Sequence, residues 1–197
     1  MNITKQLATD LGGALNEASL AGVEYVPERN SAGITFVCLT LPEDGPEPHD
    51  TRRLFVLENI GRIAASLRHG KWDDKTAPVE SFGISDLLKV VQSFESQPVY
   101  GWEFFNTHLK ELKQWGDRLS LDFSPQGGSQ KNSICMFQEY GDERHLDLCV
   151  WFDSFTIFDS DGNQIKVEKF IEDGARWWEA MHSGDPRIRN HGIQPLE

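Results

Sequence analysis

His145 and Asp147 are separated by one residue within a run, 145–153, that alternates in character: His145, Asp147, Cys149, Trp151 and Asp153 fall on one face, and Leu146, Leu148, Val150 and Phe152 on the other. In an extended strand an imidazole and a carboxylate at that spacing are neighbours. They can act as a general base with its orienting acid, or as two metal ligands. A solvated strand face is the plainer account of the same pattern. No third ligand or nucleophile follows from spacing, because Cys149 lies in an apolar setting that quiets a thiol.

A second set of residues suits recognition rather than catalysis. Trp72-Asp73-Asp74 places an exposed acid pair beside an aromatic in a loop, and Tyr100-Gly101-Trp102 adds two aromatics near an element boundary. Paired carboxylates can bind a cation or a basic side chain, although adjacent loop acids are more often simply solvated. Of Trp177 and Trp178, adjacent on one helix, only one can point fully inward.

Asp159-Ser160-Asp161-Gly162-Asn163 has the look of a calcium loop, with Glu168 at the last ligand position. The register fails, since the first ligand would be Ile157. A tight hairpin turn is the better reading. The sequence holds no nucleophile elbow, no phosphate-cradling glycine loop ahead of a lysine and no paired-histidine helix motif, which lowers the case for an enzyme. Neither a metal site nor a cofactor is expected.

The elements that must position these residues come from periodicity. Ile3, Leu7, Leu11 and Leu15 predict a helix over 3–18, capped by Asn2 or Thr4. Strands follow at 23–27, 33–41 and 52–57, with 42–48, rich in proline and acid, as an exposed loop. The run 60–67 fits strand or helix and is taken as strand. Helices are predicted at 85–95 and 103–115, strands at 119–123, 133–139, 145–153, 154–159 and 165–167, then a helix over 167–181 and a polar tail from Ser183.

Val79-Glu80-Ser81-Phe82 and Val167-Glu168-Lys169-Phe170 precede two apolar-periodic segments about 88 residues apart, and other elements recur at loosely similar offsets. This predicts an α+β protein of two tandem similar units, 1–97 and 98–197, each a helix, a four-stranded antiparallel meander and a helix. A pseudo-twofold arrangement and a single compact domain are both compatible with it. Glu80 and Glu168 read as acids beside helix starts, where free amides favour negative charge.

The segments 70–74, 98–104 and 147–153 resemble those of uncharacterised bacterial proteins of similar length. The resemblance implies no activity, substrate or site.

Composition narrows the function classes. The chain has 197 residues and a net charge of −12, which repels phosphate backbones, so nucleic acid is not an expected partner; a basic protein is permitted. No apolar run is long enough for a bilayer, and no basic-then-apolar leader opens the chain. Three cysteines, Cys38, Cys135 and Cys149, all in apolar strand-like runs, argue against a disulfide framework and for a reducing compartment. These features predict a soluble cytoplasmic protein of unknown activity. The leading expectation is a non-enzymatic inhibitor, immunity-type or chaperone-like binding protein that uses Trp72, Asp73, Asp74, Tyr100 and Trp102. The alternative is a small metal-dependent hydrolase or ligand-binding protein using His145 and Asp147, with Asp122 or Asp153, or the cleft between units.

Overall fold

The computed structural model describes residues 2–99, 104–106, 116–125, 131–189 and 191–193. The fold is α+β, with two antiparallel sheets and three helices among those residues. The first half runs α1 (Lys5–Ala14), β1 (Ser19–Val26), β2 (Ser31–Val37), β3 (Arg52–Glu58), β4 (Arg62–His69) and α2 (Leu87–Gln92); the second runs β5 (Leu121–Phe123), β6 (Asn132–Tyr140), β7 (Arg144–Phe152), β8 (Ser154–Phe158), β9 (Gln164–Ile165) and α3 (Val167–Ser183).

Neither sheet belongs to one half. The five-stranded sheet is ordered β1-β2-β3-β8-β9 and the four-stranded sheet β5-β4-β7-β6. The cause is a shared corner. β3 and β4 are paired along their lengths with β8 and β7, from Leu54 opposite Phe158 to Glu58 opposite Ser154, and then, after a slip in register, from Arg62 opposite Trp151 to His69 opposite Arg144. At the slip Asn59 takes a left-handed backbone (φ 54°), a conformation asparagine adopts more readily than most residues. Gly61 N–H donates to the Trp151 carbonyl at 2.9 Å and Asp153 N–H to that of Glu58 at 3.0 Å, so the ribbon turns without losing its ladder.

Alternation sets the burial of the five-stranded sheet. Ile34, Phe36, Phe55 and Ile157 point to one side and are fully buried, whereas Thr35, Leu54 and Val56 on the other are half-exposed. Phe55 lies edge-on to Phe36 (5.4 Å) and to Phe170 of α3 (5.4 Å), and stacks on Phe155 (5.6 Å), which ties α3 to this face. One continuous apolar cluster joins this side to Ile63, Leu67, Ile134, Leu148 and Val150 of the other sheet. α3 approaches α1 closely at Gly174, where a Cβ would meet Ala14 Cα at 3.0 Å.

Several boundaries differ from those the periodicity predicts. α1 is capped by the Thr4 hydroxyl, which accepts from Leu7 N–H at 3.2 Å, but it ends at Ala14, and β1 starts at Ser19 rather than 23. A bulge between Leu20 and Gly22 lets that early start pair with β2. The run predicted at 60–67 is a strand displaced to Arg62–His69, its Ala64-Ala65-Ser66 core small enough to be buried on both faces. The helix predicted at 85–95 is a 3₁₀ turn, Ile84–Asp86, followed by the short α2; the one predicted at 103–115 lies mostly outside the described residues.

The two Val-Glu segments have different surroundings, and the element order of the two halves matches only roughly. Val167-Glu168 opens α3, as expected. Val79 instead forms a bridge with Arg68, and the Glu80 carboxylate pairs with His69 Nε2 at 2.6 Å, so Glu80 is a sheet-edge partner and not a helix-start acid.

The cysteines also depart from expectation. Cys135 and Cys149 are joined as a disulfide across β6 and β7, and only Cys38 is a free thiol. Sparse cysteines in strands look like isolated apolar residues until the strand pairing sets two of them side by side. The link removes the grounds on which these residues pointed to a reducing compartment. Among the described residues no helix is long and apolar enough to cross a membrane.

Candidate functional site

β7 is central in its sheet, with β4 on one side and β6 on the other, so the His145 face carries a row of cross-strand partners. Arg68 and Glu139 lie opposite His145, Ser66 and Phe137 opposite Asp147, and Ala64 and Cys135 opposite Cys149. This face is not the solvated surface that strand alternation alone suggests. His145 has no exposed surface, and Cys149 and Trp151 are buried with Ala64 in a small apolar cluster of their own.

What covers His145 is a loop 75 residues away in sequence. The His145 Nδ1 lies 3.0 Å from the Gly70 carbonyl, which can only accept, so Nδ1 carries the proton. Nε2 is then the lone-pair nitrogen, and it is buried without a hydrogen-bond partner. Burial holds the pKa of the ring below its ordinary value; the Gly70 carbonyl opposes this, the Arg68 and Arg118 guanidiniums reinforce it and Asp74 opposes it again. The imidazole is therefore neutral near pH 7, with a lone pair and no route to water.

His145 and Asp147 do not form a base–acid pair. The Asp147 carboxylate takes the guanidinium of Arg68, and the ring is oriented by a backbone carbonyl instead. The acids considered with them lie elsewhere, Asp122 on β5 and Asp153 at the corner between β7 and β8. Asp122 makes a two-point contact with Arg62 (2.7 and 2.9 Å), whose guanidinium also sits 5.4 Å from the Trp151 ring. Asp153 lies 3.7 Å from the Lys131 ammonium. Among the described residues no group of three or more His, Cys, Asp or Glu side chains is placed to hold a metal ion.

The loop over His145 carries the aromatic–acid group. His69 N–H donates to the Pro78 carbonyl (2.9 Å), Gly70 N–H to that of Glu143 (2.7 Å) and Ala77 N–H to that of Asp74 (3.2 Å). The Arg118 guanidinium reaches the carbonyls of Asp74 and Ala77 at 3.4 and 3.3 Å. Asp74 is spent on structure: its Oδ1 accepts from both the hydroxyl and the N–H of Thr76, each at 2.7 Å, and those bonds, the hydroxyl first, lower its pKa. Trp72 is 64% exposed and Asp73 is exposed beside it. Trp72 and Val37 are the exposed large hydrophobic residues among those described. Tyr100 and Trp102 lie outside the described residues.

Two charged arrangements escaped sequence reading. Asp173 on α3, buried, accepts from Lys169 (2.7 Å) and Arg176 (2.9 Å), while Arg176 also donates to the Leu41 carbonyl at 2.9 Å. Glu47, in the loop expected to be exposed, has a fully buried side chain. The first has a local signal in its i, i+3 and i+4 spacing; the second has none, because its partners are more than a hundred residues away.

Compared with protein-family models, with curated proteins and with solved structures, the chain matches none of them.

Proposed function

We propose that this chain is a non-enzymatic protein-binding protein, of inhibitor, immunity or chaperone-like kind, that engages a basic partner through the loop at 70–77. The observation that carries the reading is Trp72: a large aromatic left 64% exposed on a loop whose backbone is already fixed by hydrogen bonds from both flanks. A pre-ordered loop loses little conformational entropy on binding, and tryptophan is enriched among the residues that dominate interface energies. Asp73 beside it and a net charge of −12 favour a cationic partner and speed its approach. No cofactor enters this reading.

The hydrolase alternative would require the 70–77 loop to open, since the one unengaged nitrogen of His145 is covered. For the architecture, the same proposal takes the chain as two similar interleaved units. Equating β3 with β7 and β4 with β8 turns the β3–β8 pairing into the β7–β4 pairing, which supports an internal twofold.

A photoreactive residue at position 75, on the same exposed loop and leaving Trp72 and Asp73 in place, tests the binding reading. In lysate of the native cell it should give one dominant adduct, with a basic protein, and that adduct should be lost when Trp72→Ala is introduced without change in thermal unfolding. Unchanged labelling with Trp72→Ala would refute it.

A further inference from the structure

A second apolar cluster stands apart from the main core. Leu39 and Leu41, just beyond β2, pack with Trp177 and Ala180 of α3, and Ile188 and Ile193 lie over them. The two isoleucines belong to the tail, which α3 releases at Gly184. There a left-handed backbone (φ 69°) reverses the chain, with Asp185 N–H returning to the Ala180 carbonyl at 2.8 Å. The tail then runs beside the 42–50 loop.

Glu47 fixes it there. One carboxylate oxygen accepts from His191 Nε2 at 2.6 Å; the other accepts from Arg189 N–H at 2.8 Å, with Arg189 Nε 3.8 Å away. Glu47 N–H donates to the Arg187 carbonyl at 3.1 Å, Arg187 Nη1 donates to the Glu43 carbonyl at 3.1 Å, and the Arg189 guanidinium donates to the Pro48 carbonyl. The His191 ring lies edge-on to Trp177, 5.8 Å between centres.

A carboxylate taken out of water must be compensated by donors, and here the donors come from the tail. Without the tail, Glu47 and the apolar floor of Leu39, Leu41 and Trp177 form a groove of defined chemistry: a carboxylate for cations and a backbone N–H, carbonyls for guanidiniums, and an aliphatic seat. The tail matches it with basic residues at alternate positions, 187, 189 and 191, in a chain that is otherwise strongly acidic.

We propose that this groove is a binding site for an extended basic–aliphatic segment of a partner protein, and that the tail occupies it as an intramolecular stand-in. The tether gives the tail an effective concentration near the millimolar range, so a partner segment competes only where it makes further contacts or where the tail is weakened. The site uses no residue of the 70–77 loop, and the two surfaces can fail separately.

The test uses a fluorescent peptide with the sequence of residues 185–193, titrated by anisotropy into the full chain. Binding to the unaltered chain should be weak. With Arg189→Ala and His191→Ala together it should tighten about 10-fold or more as the tethered competitor is lost. Adding Glu47→Gln should reverse that gain. On the unaltered chain, excess peptide carrying a photoreactive group in place of Ile188 should label Leu39, Leu41 or Trp177. Labelling elsewhere, indifference to Glu47→Gln, or failure of a folded weakened-tail variant to bind would each overturn the proposal. A dimer that forms by tail exchange and leaves no peptide site would overturn it too, assigning the groove to a second copy.

Discussion

Arg68 lies directly across the β4–β7 pair from His145, yet its guanidinium closes on Asp147, two residues along the strand. The choice leaves the imidazole beside a cation it cannot pair with, held by one carbonyl and otherwise dry.

A pH dependence of stability follows. The folded pKa of His145 is below its ordinary value, so as pH falls the unfolded chain takes up the proton first. The stabilisation is whole above about pH 6.5 and is lost as pH falls towards the depressed folded value, at a slope of at most about 1.4 kcal/mol per pH unit. Urea unfolding at intervals from pH 5 to 7.5 should show this slope in the natural chain and a shallower one in His145→Phe. Parallel curves would contradict the assignment.

The disulfide makes a second prediction. Joining residues 14 apart in sequence should contribute about 3 kcal/mol by restricting the unfolded chain. Thermal unfolding should therefore drop on reduction, and Cys135→Ala with Cys149→Ala should reproduce the drop without reductant. Thiol titration gives an independent count. In denaturant without reductant one thiol should react, and after reduction all three. In the native state Cys38 should stay silent, because burial pushes its thiol up to about 12.

Glycines separate packing from propensity. Gly174→Ala would put a methyl 3.0 Å from Ala14 Cα, so the α1–α3 contact must widen; the gain in helix propensity offsets only part of this, and a net loss of about 1–2 kcal/mol is expected. Gly13→Ala, with nothing within 4 Å of the new methyl, should instead stabilise by about 0.5–1 kcal/mol. Chemical unfolding of both variants checks the difference in sign.

Local rules located most strands, because alternation is written in the strand itself: β6, β7 and β8 fall within a residue or two of where polarity places them. What they could not supply is partnership. That β3 pairs with β8 and β4 with β7 depends on contacts across about a hundred residues, and a meander within each half satisfies the same pattern. The site is hidden for the same reason. His145 looks like a surface residue until the Gly70 loop folds over it, and Glu47 looks solvated until the tail returns to it.

Asp173 offers the sharpest measure of such a hidden contact. Its carboxylate holds Arg176, which in turn anchors the Leu41 carbonyl, while its other partner, Lys169, is half-exposed and should contribute little. Asp173→Ala leaves a partly buried guanidinium short of its acceptor and should cost about 2–3 kcal/mol. Arg176→Met should cost less, since an aliphatic stem keeps its packing. In the double variant the losses should fall short of their sum by about 1 kcal/mol or more, measured by urea unfolding at pH 7. Simple additivity would mean that the aspartate acts through Lys169 or through the helix alone, and the link from α3 to the segment after β2 would then rest on Arg176 independently of the Asp173 side chain, on the hydrogen bond from Leu41 N–H to the Asp173 carbonyl and on the packing of Leu39 and Leu41 against Trp177.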